Sequence, residues 1–357
     1  MELKFQTFVR AQFYEAQRSL FSICFPENAG SAIESEDHYN WKFQKFPAIP
    51  SSYEYSATDG TDLVGYYAAL PFNYTVKNQK LTCGMVCDVM THPGYRGAGI
   101  FTKLGRYATE NLAEHKIDFV SGYPIRPEVI PGHLKVGWFI AFQQPMYLRM
   151  VKLNFLFTKL GPLKKLSIIF NFLLRQYNFL FNCFSCANYQ TSILNRGSFL
   201  QDNDYDSFFK LWSDEQEIFL NKNKAFLAWR TGAPGTEYQF VKLSKNNEMV
   251  GLAITRKVLL QEIPSLAILD LMILNSHQRG LKNLFIYLYQ LAKSDCDLLV
   301  TMASPYIRRK YRFLENGFVR SHAVFSIIFK ILNSQLNKQV FKDESKWHLM
   351  WIDSDDL

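Results

Sequence analysis

Cysteine is scarce and irregularly placed. Six residues among 357, at positions 24, 83, 87, 183, 186 and 296, share no spacing, which argues against a disulfide framework and predicts a reducing, cytoplasmic setting. The one CxxC, Cys183 and Cys186, has no second ligand pair at a suitable distance, so no metal site is expected and these thiols read as buried or idle. Long uninterrupted apolar runs are missing as well. The densest stretch, Leu163 to Cys186, is broken by Asn171, Arg175, Gln176, Asn178 and Asn182, which excludes a membrane-spanning helix. The opening MELKFQTFVRAQFYEAQRSL carries acidic residues early and has no apolar centre, unlike a secretory signal. No basic stripe with interleaved aromatics is present either, so nucleic acid is not expected as a partner.

What is present suits a folded protein. The chain is 48% hydrophobic, 16% aromatic and 20% charged, long enough for about two domains. Its net charge of +8 favours anionic partners, either the phosphates of a small cofactor or a membrane surface. The segment 163–186 has two readings. The commoner is a helix packed between domains; the other is peripheral membrane contact, because Lys164 and Lys165 lead into Phe and Leu residues. Nothing in the sequence fixes an oligomeric state.

A faint internal duplication organises the chain. Trp41 and Trp229 are each followed by a basic residue; DLVGYYAAL (62–70) parallels EMVGLAITR (248–256). CDVMTHPGYRG (87–97) parallels LDLMILNSHQRG (269–280), pairing Asp88 with Asp270 and Arg96-Gly97 with Arg279-Gly280. Asp118 to Trp138 aligns without gaps on Leu298 to Phe318. Each copy reads as two strands, a third strand ending at the arginine loop, a helix, another strand, a short helix and a closing strand. The expected fold is therefore α/β with two tandem domains, each a mixed sheet flanked by helices: 1–150, an apolar connector over 151–200, and 201–357.

The most informative stretch is THPGYRGAGIFTKL, residues 91–104. A strand that ends in a glycine loop and then opens a helix gathers unpaired N–H groups and a positive dipole end at one spot. Glycines let that backbone approach a bulky anion, and an arginine adds donors for phosphate oxygens. The lysine and spacing of the triphosphate loop are missing, and Thr102 stands where G-x-G-x-x-G needs its last glycine. Instead, Arg96-Gly97-Ala98-Gly99-Ile100-Phe101 resembles the R/Q-x-x-G-x-G/A signature of the GNAT acetyltransferase superfamily, and HLKVGW (133–138) is similar to its Y-x-K-x-G-F ending. Phe101 departs from the small residue expected there.

The resemblance implies that these loop amides hold the pyrophosphate of acetyl-CoA or another acyl-CoA. It also implies that a backbone N–H at Val89 or Met90 polarises the thioester carbonyl. The family's frequent general acid, a tyrosine, falls on His133, with Tyr123 as rival. Asp88, on the same strand, reads as a base or amine-orienting carboxylate, or as a structural residue shared with Asp270. In the second copy Leu281, Lys282 and Asn283 follow Arg279-Gly280, and Phe313 takes the place of His133, so cradle and acid are both absent there. The expected activity is transfer of an acyl group to a small amine, an amino sugar among the candidates. Its rivals are a tRNA-dependent aminoacyl transferase of the peptidoglycan-bridge type and a non-catalytic scaffold.

Overall fold

The computed structural model describes residues 2–157, 166–182, 186 and 188–355. Leu163, Lys164, Lys165 and Cys183, all used above, lie outside them. Alternation of apolar residues builds the strands β1 (Leu3–Thr7), β2 (Tyr53–Asp59), β3 (Asp62–Val76), β4 (Gln79–Thr91), β5 (Phe119–Gly122) and β6 (Phe139–Met150). The second half adds β7 (Gln190–Asn195), β8 (Ile218–Leu220), β9 (Tyr238–Lys245), β10 (Glu248–Leu260), β11 (Ile263–Ile273), β12 (Leu298–Met302), β13 (Val319–Ile331) and β14 (Trp347–His348). Both faces of β3 are covered. Tyr66, Ala68, Leu70 and Phe72 enter one core, while Val64, Tyr67 and Ala69 face Ile100, Leu104 and Ala108 of the helix Ile100–Glu114.

The two halves share one continuous mixed sheet, in the order β1-β2-β3-β4-β5-β13-β6-β12-β11-β10-β9-β7. The strands expected to close each copy are exchanged. β13, from the second half, pairs with β5 through Ile328–Ile331 against Gly122–Phe119, whereas β6, from the first half, pairs with β12. Side chains reinforce the exchange: Lys330 Nζ donates to Thr109 Oγ1 at 2.8 Å and Asn333 Nδ2 to Asp118 Oδ1 at 2.8 Å.

The duplicated tryptophans meet at the junction. Trp41 and Trp229 stack with ring centroids 5.0 Å apart and planes 9° from parallel. Each indole N–H donates to the other's carbonyl, at 2.6 and 2.8 Å. Such reciprocity is what a local two-fold relation between the copies produces. The C-terminal segment then threads between them: Arg230 Nη2 donates to Ser354 O, and Gln144 Nε2 to Leu349 O.

Candidate active site

The site begins with a defect in a strand. Opposite β3, Tyr66 faces Met90 and Ala68 faces Cys87, so Asp88 and Val89 together face only Tyr67. This is a bulge, and Asp88 takes φ +48° within it, a region that aspartate tolerates better than most residues. β4 and β5 are parallel partners only over Cys83–Met85 and Phe119–Ser121. Beyond that point the pairing stops, leaving the bulged end of β4 unpaired with β5.

After β4 the chain turns at Pro93–Tyr95, where His92 Nδ1 accepts from Gly94 N at 3.2 Å. His92 is thus a turn-capping residue. Gly97 and Gly99 follow at φ +85° and +76°, left-handed conformations that explain both glycines. A Cβ on Gly97 would meet nothing within 4 Å, and one on Gly99 only the tips of Thr102 and Lys103 at 3.8 Å. The loop is open. Lys103 N is the first amide to find a helical acceptor, Gly99 O at 3.0 Å, so the N–H groups of Ile100, Phe101 and Thr102 have no partner within the helix.

The other cradle residues differ in what they offer. Ala98 N–H is engaged by Tyr95 O at 3.3 Å. Arg96 is exposed and makes no ion pair among the described residues. Ile100 is buried beneath Gly65, whose added Cβ would come within 2.8 Å of it, so this residue can contribute only its backbone. The Phe101 ring lies against Gly132 and His133 of the helix Ile130–Lys135. The bulky side chain therefore points into helix packing. Val89 is half-buried in the bulge and Met90 is buried.

Beside the bulge sits a charged cluster that the sequence did not announce. Lys42 Nζ donates to Asp88 Oδ1 at 2.8 Å and lies 4.0 Å from Asp355 Oδ2, with Lys42 nearly buried. Donor atoms of Cys87, Asp88 and Asp355 fall within 4.8 Å of one another, and the cation seated among them is the Lys42 ammonium. Burial alone would lower the Lys42 pKa, but the carboxylates of Asp88 and Asp355 overcome it and hold the ammonium protonated. Burial pushes Asp355 up against the pull of Lys42, with Asp88 adding repulsion. Asp355 comes from the last turn of the described chain, and only the tertiary fold brings it here.

His133 and Tyr123 occupy different surroundings. His133 is buried between Phe101 and Trp138, with ring centroids 4.9 and 4.8 Å away. Burial pushes its imidazole down to about 4, so it is uncharged at neutral pH. Tyr123 directly follows β5, beyond the point where its pairing with β4 stops. Among the described residues its hydroxyl makes no hydrogen bond of ordinary geometry, with the Tyr74 hydroxyl its neighbour, and its pKa is raised by burial, then by Asp353 and other nearby groups including Asp355.

The corresponding loop of the second half is filled. A Cβ on Gly280 would lie 2.7 Å from Leu243 and 2.8 Å from the Tyr189 ring. Asn283 Nδ2 donates to the carbonyls of Cys186 and Tyr189, pinning the connector across the start of the helix Leu281–Ala292. Phe313, aligned with His133, packs on Phe285 and Phe318. Asp270, aligned with Asp88, is fully buried in contact with Lys222 at 2.7 Å and His348 at 3.1 Å.

Residues 9–141 match the family model described as an acetyltransferase (GNAT) domain. No curated protein matches in sequence. Among solved structures, a GCN5-related N-acetyltransferase from Anabaena variabilis aligns at TM-score 0.65 and 13% identity, over 93% of this chain and 73% of its own. A tandem GNAT protein from the clavulanic acid biosynthesis pathway aligns at 0.60 and 13%, over 93% and 99%. Saccharomyces cerevisiae N-myristoyltransferase with bound myristoyl-CoA aligns at 0.59 and 9%, over 92% and 79%. With an open glycine loop in the first half, a filled one in the second and a shared sheet across both, the chain carries a match to the GNAT acetyltransferase domain over residues 9–141 and has, over nearly its whole length, the fold of a tandem GNAT protein.

Proposed function

We propose that the protein is an acyl-CoA-dependent N-acyltransferase with one donor site, in residues 1–150, supported by the half at 201–357 through the connector 151–200. The observation that carries this reading is the contrast between the two loops: open space at Gly97 and Gly99, and Tyr189 against Gly280. A diphosphate fits the first loop. It offers the free amides of Gly97, Gly99, Ile100 and Phe101 at a helix N-terminus, with Arg96 alongside. Acyl-CoA, when bound, supplies the activated acyl group.

The remaining work falls to the chain itself. The bulge leaves the backbone of Val89 outside the regular ladder, and an N–H there or at the adjoining Met90 is our candidate donor to a developing oxyanion. Asp88 and Asp355 set two carboxylates against one ammonium, an excess of negative charge suited to attracting and orienting a small amine. Asp355, its pKa raised by burial, is the candidate proton acceptor. Tyr123, its pKa raised by burial, keeps its proton at neutral pH beside the Tyr74 hydroxyl, which suits a donor to the leaving group. We assign His133 to packing, because a neutral ring among aromatics is the counterpart of Phe313. Direct attack requires no covalent enzyme intermediate.

Calorimetry with coenzyme A, followed by mass spectrometry of an amine panel incubated with acetyl-CoA and longer acyl-CoAs, tests the reading. Saturable binding that Gly99→Trp abolishes is expected. Absence of binding in the unmodified protein sinks it.

A further inference from the structure

The helix Leu166–Asn182 is attached to the rest of the protein by the wrong face. Asn171, Asn178 and Asn182, spaced seven and four residues apart, share one side of it. That polar side points inward. Asn171 Oδ1 accepts from Leu153 N at 2.7 Å, and Asn178 Oδ1 from Arg149 Nε at 2.9 Å. Asn182 Oδ1 accepts from Arg149 Nη2 at 3.1 Å. The opposite side carries Ile169, Phe172, Leu173 and Leu180, which are 57%, 60%, 56% and 68% exposed. Soluble proteins turn the apolar stripe of a surface helix toward their core; here it faces outward. Among the described residues, no helix is long and apolar enough to cross a membrane.

A second observation specifies what covers it. Along the edge of this helix runs a cleft of about 530 Å³ lined by Arg175, Gln176, Phe179 and Asn182 of the helix and by Tyr289, Gln290 and Lys293. No acidic side chain lines it among the described residues. Arg149, 1% exposed and bonded to Asn182 of the lining, lies with Cζ 4.6 Å over the Tyr289 ring; among the described residues its Nη1 has no hydrogen-bond partner. Three cations thus converge beside an outward apolar face. In sequence, Lys164 and Lys165 immediately precede the same helix.

We propose that this face docks on an anionic phospholipid surface, with the apolar residues of the helix lying among the acyl chains and the Arg175–Lys293 cleft receiving lipid phosphate. The arrangement is that of an interfacial helix, in which buried apolar area and attraction to anionic headgroups act together. It operates independently of acyl transfer and is read without any assay of activity.

Flotation with vesicles of phosphatidylcholine, alone or mixed with phosphatidylglycerol, tests it on the full chain. The protein should float with the mixed vesicles and be released from them by salt. Leu173→Glu/Leu180→Glu should lower the bound fraction roughly tenfold or more with an unchanged melting temperature, since both side chains are exposed. Arg175→Ala/Lys293→Ala should retain weak partition but lose the preference for phosphatidylglycerol. Failure of the unmodified protein to float overturns the proposal, as does equal flotation of the Leu173→Glu/Leu180→Glu variant. A dimer in light scattering that this variant dissociates would assign the face to a second copy of the chain and overturn it too.

Discussion

At the scale of single residues, the buried histidine and the buried tyrosine can be told apart by experiment. His133 has a folded pKa of about 4, below the ordinary value near 6.5. Between those two pH values the unfolded chain binds a proton that the folded one refuses. The contribution to stability is therefore complete above about pH 6.5 and is lost as the pH falls toward 4, by at most roughly 3 kcal/mol. His133→Phe, which copies Phe313, should flatten that loss in urea melts at pH 7.5 and 5 while leaving kcat within a few-fold. Tyr123→Phe should instead lower kcat by roughly a hundredfold with little change in the KM for acyl-CoA. A reversed pattern in steady-state kinetics would return the acid to His133. The cradle makes its own prediction. Gly99→Trp should abolish measurable coenzyme A affinity, whereas Lys282→Ala, in the filled loop, should leave the calorimetric affinity unchanged; equal losses would refute the one-site assignment.

At the scale of elements, the reciprocal tryptophan pair shows what the duplication accomplishes. Trp229→Ala would remove a buried ring stacked on Trp41 and also packed edge-on to Phe46 and Phe72. A cost of about 3 to 5 kcal/mol is expected in denaturant melts, with coenzyme A affinity retained in the fraction that folds. That pair was legible in the sequence, since both tryptophans precede a base at matching places, as was the strand-loop-helix of the cradle, because glycine, arginine and helical periodicity are local signals. The Lys42–Asp88–Asp355 cluster was only half legible. Asp88 stood out through its alignment with Asp270, but nothing local ties Asp355 to Lys42 across three hundred residues. The inverted helix was likewise only half legible. Asparagines at 171, 178 and 182 mark one face of a helix that is otherwise apolar, and that spacing told which side was polar without telling which side was out. Filling of the second loop by Tyr189 depends on where the connector lies, and sequence similarity alone showed only that a glycine was missing.

At the scale of the whole molecule, the exchanged strands have the largest consequence. β5 has the second half's β13 as its neighbour, and β12 has the first half's β6. Neither half can complete its sheet alone. Strand pairing of this kind is long-range in sequence, which is why a closing strand could be expected at the end of each copy while nothing local said whose sheet it would close. A fragment ending at residue 150 would leave the β5 edge open, strip Ile328 from the core under the helix Ile100–Glu114, and expose backbone donors and acceptors that invite aggregation. The full chain should accordingly unfold in one calorimetric transition, and coenzyme A should raise the temperature of that single peak, because ligand binding to the first half stabilises everything folded with it. Two separable peaks, only the earlier or later of which responds to the ligand, would show that the exchange does not couple the halves; so would a soluble, cooperatively folded 1–150 fragment. Since the fragment lacks Asp355 as well as β13, mixing it with a separately expressed 151–357 chain should restore ligand-dependent melting only if the two reassemble into the exchanged sheet.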